Sequence, residues 1–312
     1  MIEIAVKVCG DHWVNPDEVE QQVRQIAPGV PVMVDMSTEG ASMRALGVCQ
    51  MLDRYLDRDQ ITVRAWANPV EQIPYRRADT HLYSHFFWMA QRYWNKDLAP
   101  NTHERRFACL IGRLTWPRIR MLWDLRQYLG DRCLFSVMDP KNLPRADAYN
   151  LDRQENWVAE DFDYRMTIGD MTSLDGHQVR DQYDPQHNTN LSILDHYARF
   201  DLEIVAETYC HGPAFLPTEK TIRPLLYRKP IMVYGPRHFL RNLRSQGFST
   251  WSDWWDESYD DLEGPARWQA MMEQISLLNL HEHFNQILDD CQSVLEHNRD
   301  RARKIGQRHQ PQ

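Results

Sequence analysis

Residues 200–235 read FDLEIVAETYCHGPAFLPTEKTIRPLLYRKPIMVYG. The apolar run at the start is typical of a buried strand, and this strand ends near Glu207. Thr218 then occupies the position of a helix N-cap, so the pattern predicts a helix over about 218–228. A second apolar run over 230–235 follows it. Strand, helix and strand in this order predict a β-α-β unit with parallel strands.

The same alternation extends through the rest of the chain. It predicts an α/β fold, because short apolar strands alternate with segments of helical periodicity. Residues 139–190 are rich in Asp, Asn, Gln and Pro and are predicted to be irregular. The other predicted strands are 2–8, 30–36, 61–67, 107–113 and 132–138, and the other predicted helices are 18–26, 42–56, 118–129 and most of 265–305.

The length of 312 residues corresponds to about two domains of ~150 residues. The polar stretch NKDLAPNTHERR at 95–106 is the predicted linker. We therefore expect an N-terminal Rossmann-like domain over 1–100, a second domain over 107–282 and a C-terminal helix over 283–312 that could pack back on the first domain. In open α/β sheets ligands bind beyond the carboxyl ends of the strands, so the expected site faces the cleft between the two domains.

Composition excludes several classes of protein. Asp and Glu outnumber Lys and Arg by 44 to 36, and the net charge of −8 argues against a general nucleic-acid binder. No apolar run reaches the ~18 residues of a membrane span, and the early acidic residues do not fit a signal peptide. The six cysteines are scattered without a CxxC pair, which favours free thiols in a reducing cytoplasm.

Familiar catalytic motifs are missing from the sequence. It contains no GxxxxGK[ST], GxGxxG, GxSxG or HExxH pattern. P-loop ATPases, classical dinucleotide enzymes, α/β-hydrolases and zincins are therefore disfavoured.

The segment Thr218-Glu219-Lys220 carries the clearest chemical signal. The free N–H groups of a first helical turn, together with the helix dipole, favour an anion. Lys220 opposes that dipole, so its position is better explained if its ammonium group holds a phosphate. Glu219 could accept hydrogen bonds from the two hydroxyls of a ribose. The alternative interpretation is a solvated Glu-Lys pair.

This region resembles the nucleotide-sugar half of GT-B-fold glycosyltransferases, in particular the fucosyltransferase-like group. That group has a strand ending in Glu, a [VT]-T-E-K helix start and a strand of the type PIxxG, which here are Glu207, Thr218-Glu219-Lys220 and 230–235. The continuation GFSTWSDWWDESYD at 247–260 is similar to the GFxTFxDFWDExYD tail of glycosyltransferase-like proteins from phages and marine bacteria. FACLIGRLTWPRIRMLWDL at 107–125 is similar to their FLCLxGRxxxHRxxLLxxL entry.

The resemblance implies two Rossmann-like domains that face a cleft, and it assigns donor-binding roles. Glu219 would contact the ribose of a nucleoside-diphosphate sugar and Lys220 its diphosphate. Arg113 would be a second phosphate ligand, since a guanidinium bridges two phosphate oxygens in a fixed fork. Glu207 would hold the base or ribose, or cap the following helix, and Thr218 would cap that helix.

The expected reaction is an inverting glycosyl transfer without a metal or other cofactor. Lys, Arg and helix N–H groups would stabilise the leaving nucleoside diphosphate. The alternative, a metal held by a DxD pair, would use Asp161 and Asp163. A general base near the acceptor hydroxyl is needed, and Glu39 is the first candidate and Asp35 the second. Each of these two acids could instead cap the helix that follows it.

The acceptor stays open between a glycan, a small molecule and a modified DNA base. A phage-type enzyme acting on a hydroxymethylated base would need a basic wall, for which arginines are available. A non-catalytic nucleotide- or sugar-binding protein is the other alternative. Trp251, Trp254 and Trp255 interleave with acids, as in sugar sites, but also as in a packed cap. The arginines in question are Arg76, Arg77, Arg105, Arg106, Arg237, Arg241 and Arg244.

Overall fold

The computed structural model shows an α/β protein with two four-stranded parallel sheets. It describes residues 1–9, 12–36, 43–44, 46–65, 73–78, 101–111, 116–137, 183–184, 189–190, 192–207, 210 and 215–308. We call the described residues up to 78 the N-terminal half and those from 101 the C-terminal half.

The strands and helices follow the predicted alternation. The strands are β1 (Ile2–Ala5), β2 (Val8–Cys9), β3 (His12–Trp13), β4 (Val32–Met36), β5 (Ile61–Ala65), β6 (Arg76–Arg77), β7 (Arg105–Ile111), β8 (Cys133–Val137), β9 (Tyr183–Asp184), β10 (Thr189–Asn190), β11 (Phe200–Ala206) and β12 (Ile231–Tyr234). The helices are α1 (Pro16–Arg24), α2 (Val48–Tyr55), α3 (Trp116–Leu129), α4 (Glu219–Leu226), α5 (Phe239–Ser245), α6 (Gly264–Leu280), α7 (Phe284–Asp290) and α8 (Gln292–Arg308). Short 3₁₀ helices cover Arg58–Gln60, Gly130–Arg132, Ser192–Ala198 and Ser258–Asp261.

The N-terminal sheet has the order β1-β4-β5-β6, so each strand is added beside the previous one in the chain. Its strands run parallel, with Val32 opposite Ile2 on one side and Ile61 on the other. Aliphatic residues of β4 and β5 pack against those of α1 and α2 to form one core. Burial of these apolar faces holds this half together.

The C-terminal sheet has the order β12-β11-β7-β8. The chain passes from β7 outward to β8, then returns to β11 on the other side of β7 and continues outward to β12. The direction of strand addition therefore reverses between β7 and β11. Strand β11 is buried along its whole length, as predicted for a central parallel strand, and its core includes residues from α3 to α8.

Three predicted boundaries are wrong. Strand β1 ends at Ala5 because the Asn15 side chain bonds both the Ala5 carbonyl (3.0 Å) and the Lys7 N–H (2.8 Å), which turns the chain into the β2–β3 hairpin. The helix predicted from 42 starts at Val48 after Gly47, whose φ of 77° is left-handed. The predicted linker overlaps β7, which already begins at Arg105.

The C-terminal region is helical, as predicted, but it is divided into α6, α7 and α8. Residues Leu295, Ala302 and Ile305 of α8 belong to the core of the C-terminal half, and α8 packs along α4. Its packing on the N-terminal half remains a prediction. The described contacts of α8 hold α4 in place from behind.

The prediction of free thiols is confirmed for the cysteines whose side chains are described. Cys49, Cys109, Cys133, Cys210 and Cys291 are free and buried. No described helix has the length and apolar character needed to cross a membrane.

Candidate functional site

The carboxyl ends of β7 and β11 define the candidate site, which we call the switch point. In open α/β sheets, ligands bind where the strand order reverses, because the two loops diverge there and leave a crevice. Glu207 directly follows β11, and residues 215–218 lead from its loop into α4. Arg113 belongs to the loop after β7 and lies outside the described residues.

Glu207 connects the end of β11 to the start of α4. Its side chain is fully buried, and its Oε1 accepts a hydrogen bond from the Thr218 N–H at 3.0 Å. Its Oε2 accepts one from the Thr218 hydroxyl at 2.6 Å, and the Thr221 hydroxyl donates a third. These three hydrogen bonds match the alternative in which Glu207 caps the helix that follows it. These contacts fix the helix start against the sheet.

Thr218 is the N-cap of α4, as predicted. Its Oγ1 accepts from the Lys220 N–H (3.4 Å) and from the Lys220 ammonium (3.1 Å). The same ammonium donates to Glu219 Oε1 at 2.8 Å. Lys220 is buried and Glu219 is partly buried, so the pair is not solvated as the alternative interpretation required. The Lys220 ammonium instead lies over the first turn of α4, where it donates to Thr218 and Glu219.

Arg118, at the start of α3, is a further residue of the switch point that the sequence analysis missed. Its side chain is 1% exposed, and its guanidinium donates to the Ala206 carbonyl at the end of β11 (3.1 Å). It occupies the arginine position of the HRxxLL pattern quoted above, which is the signal that could have identified it.

The pKa of the buried Cys210 thiol depends on the charged groups near it. Burial raises the pKa of Cys210 to about 11, and Glu207 acts in the same direction. Arg118 opposes this rise, and Lys220 does so more weakly. Arg118 binds the Ala206 carbonyl, and Glu207 and Lys220 are both bonded to Thr218, so these three charged groups lie around the end of β11.

The neighbouring strand β12 is anchored by the tail motif. Arg267 is fully buried and donates to the Val233 carbonyl (3.0 Å) and to Asp260 (3.1 Å). Asp260 also accepts the N–H groups of Leu240 and Arg241, both at 2.9 Å. The acidic residue that closes the motif is thus a cap for α5.

The tryptophans of the tail motif pack inside the C-terminal half. The rings of Trp251 and Trp255 are buried and stacked, with centroids 5.9 Å apart. Trp254 is partly buried against the same core. Glu257 accepts the Trp251 N–H at 2.8 Å. This arrangement corresponds to the packed-cap alternative of the sequence analysis.

Of the two predicted general bases, Asp35 lies within β4, and its carboxylate is 2.9 Å from the Arg64 guanidinium. Arg64 also contacts Glu3 at 2.9 Å. Glu39 lies outside the described residues.

Among the described residues, no cluster of three or more His, Cys, Asp or Glu side chains could hold a metal ion. Asp161 and Asp163 lie outside the described residues.

Three of the seven arginines that could form a basic wall have partners among the described residues. Arg241 pairs with Asp261 at 2.8 Å, and Arg244 pairs with Glu257 at 2.9 Å. Arg106 donates to carbonyl groups at the end of α6. The charges of Arg241 and Arg244 are thus compensated locally, which reduces their contribution to a positive surface.

Fold and site together define an α/β protein with parallel sheets and a cluster of buried charged groups at a topological switch point. Comparisons of the chain with protein-family models, with curated proteins and with solved structures give no match.

Proposed function

We propose that this chain is a glycosyltransferase that binds a nucleoside-diphosphate sugar at the switch point and transfers the sugar to an acceptor hydroxyl. The observation that carries the proposal is the buried Lys220 ammonium, bonded to Thr218 and Glu219 at the start of α4. A lysine in the first turn opposes the helix dipole. Its retention in a buried, fixed position is explained by an anionic ligand.

The proposed binding step exchanges one partner of Lys220 for another. Glu219 Oε1 is 2.8 Å from the ammonium before binding. When Glu219 accepts the hydroxyls of the donor ribose, the ammonium turns to the diphosphate. Glu207 keeps its bonds to Thr218 and Thr221, so the helix start stays in place while the two side chains move.

The proposed chemistry relies on positive charge at the leaving group. Lys220 and, from the loop after β7, Arg113 would neutralise the charge that develops on the departing diphosphate. Glu39 is the preferred general base, because the alternative Asp35 already shares its carboxylate with Arg64. The transfer is proposed to be inverting and independent of a metal.

The first test is a thermal-shift panel of GDP, UDP, ADP, CDP and their sugars with the full chain. A ligand present at a hundred times its Kd adds about 2.7 kcal/mol to the free energy of unfolding. Lys220→Met, which keeps the apolar stem, should abolish this shift, whereas the matched control Lys304→Met on the exposed face of α8 should retain it. The proposal fails if no nucleotide stabilises the protein.

The second test separates an enzyme from a non-catalytic binder. Release of nucleoside diphosphate from the stabilising donor is followed by mass spectrometry in the presence of candidate acceptors. Glu39→Gln should lose turnover and keep the thermal shift. A protein that binds the donor but never turns it over would instead be the nucleotide-sugar-binding alternative.

A further inference from the structure

A second site is formed by an open groove between the middle and second half of α3 and the first half of α6, with a volume of about 590 Å³. This volume is within the ~300–1,000 Å³ typical of small-ligand sites. The groove has an aromatic and polar lining rather than a purely apolar one. Its lining includes Arg120, Trp123, Asp124, Gln127, Trp268 and Gln269.

The centre of the groove is held by Asp124, which accepts one hydrogen bond from within α3 and another from α6. Asp124 Oδ2 accepts one bond from Arg120 Nε at 2.9 Å and another from Trp268 Nε1 at 2.8 Å. The Trp268 ring is buried and packs edge-on against Tyr234 of β12. Because both bonds end on Oδ2, Oδ1 remains as an acceptor for a ligand in a fixed position.

Among its described lining residues, the groove carries no net charge. Arg120 and Asp124 are its charged side chains, and they compensate each other within one ion pair. Its exposed polar groups are the carboxamides of Gln127 and Gln269, each of which offers both a donor and an acceptor. A charged ligand would gain little here, whereas a neutral ligand with many hydroxyl groups would find partners of both kinds.

Trp123 supplies an apolar surface beside these polar groups. It is partly buried, lies one position before Asp124 and lines the groove. A wide indole surface next to fixed hydrogen-bonding groups matches a molecule with an apolar face and a polar edge. A pyranose ring has this division: its C–H groups form one face and its hydroxyls form the rim.

We infer that the groove binds a neutral oligosaccharide, with one sugar ring on Trp123 and its hydroxyls on Asp124, Gln127 and Gln269. This site is separate from the switch point and does not depend on the donor proposal.

The experiment measures binding of cellotriose, maltotriose, laminaritriose and chitotriose to the full chain by calorimetry. At least one of them should bind, and Trp123→Ala should weaken that binding about tenfold or more, because the stacked surface is lost. Gln127→Ala should weaken it about threefold. Trp254→Ala, a partly buried tryptophan outside the groove, is the matched control and should leave binding unchanged, as should Lys220→Met.

Three results would overturn the inference. The first is that none of the four saccharides binds to folded protein. The second is that a saccharide binds equally well to the wild type and to Trp123→Ala. The third is that a proline-rich peptide, tested in parallel, binds in a Trp123-dependent manner and the saccharides do not. Because nucleotide binding is read separately, its failure has no bearing on these outcomes.

Discussion

The two sheets share parallel strands and aliphatic cores, but they differ in what else they bury. Among the described residues, the N-terminal half buries one polar side chain, Gln60, at the start of β5. The C-terminal half buries many, and they lie mainly around β11, α4 and α5. They are Arg118, His196, Asp201, Glu203, Glu207, Thr218, Lys220, Thr221, Arg223, Lys229, Thr250, Glu257, Asp260, Arg267, Asn279 and Asn298.

The two sheets also differ in topology. The N-terminal sheet adds its strands in order, whereas the C-terminal sheet reverses direction between β7 and β11. Buried charges lower stability unless they are paired and hydrogen-bonded, so a fold does not accumulate them without compensation. The half with the switch point therefore depends on the pairing of its buried polar groups. The following predictions test that dependence in order of decreasing effect on stability.

The largest effect is expected for Glu207→Ala. It leaves the N–H and hydroxyl of Thr218 and the hydroxyl of Thr221 without their buried acceptor. We expect a loss of about 3–5 kcal/mol in the free energy of unfolding, measured by urea denaturation. Glu207→Gln keeps an acceptor oxygen and should cost clearly less. Equal effects of the two substitutions would show that volume, not hydrogen bonding, matters at this position.

The next effect concerns pH and Glu203. Burial raises the pKa of Glu203 to about 7 from an ordinary value of 4.5, although Arg223 and Tyr197 oppose this. The folded state therefore holds this proton more tightly than the unfolded state. This contribution is complete below pH 4.5 and is lost as the pH rises through 7, with a total of no more than about 3 kcal/mol. Urea denaturation at several pH values measures it.

The matched variant is Glu203→Gln, which cannot ionise and should flatten the pH dependence between 4.5 and 7. Lys229 contributes a second pH dependence, because burial lowers its pKa to about 8 from 10.5, although Asp201 and Glu203 oppose this. The effect of Lys229 on stability has the opposite sign to that of Glu203, because stability rises as the pH increases from 8 towards 10.5. That alkaline rise should persist in the variant. If Glu203→Gln still lost stability between pH 4.5 and 7, the assignment of this pH dependence to Glu203 would be wrong.

The sequence was sufficient for the elements but not for their arrangement. Thr218 as N-cap and β11 as a buried strand follow from local periodicity and capping chemistry, and both are confirmed. The reversal of strand order depends on the pairing of β7 with β11. These segments are about 90 residues apart in the chain, so no local sequence pattern predicts that they pair. The position of Arg118 in the site could not be predicted for a similar reason. The sequence pattern of a helix does not distinguish a buried arginine from an exposed one.

A smaller effect is expected for Thr218→Ala. It removes the N-cap acceptor of α4 and the hydroxyl that bridges Glu207 and Lys220. Loss of such a cap costs about 1–2 kcal/mol, to be measured by urea denaturation. Thr218→Ser retains the hydroxyl and should restore most of the stability. If serine fails to do so, the methyl group rather than the hydrogen bonds stabilises the helix start.

The smallest effect is expected in the N-terminal half, for Asp35→Asn. Its ion pair with Arg64 is partly exposed, with side-chain exposures of 19% and 33%, and Arg64 keeps Glu3 as a second partner. Screening by water limits such a pair to about 0–1 kcal/mol in urea denaturation. A loss as large as that of Glu207→Ala would break the comparison, because the N-terminal half would then also depend on charge. Unchanged stability combined with lost sugar transfer would instead make Asp35, not Glu39, the general base.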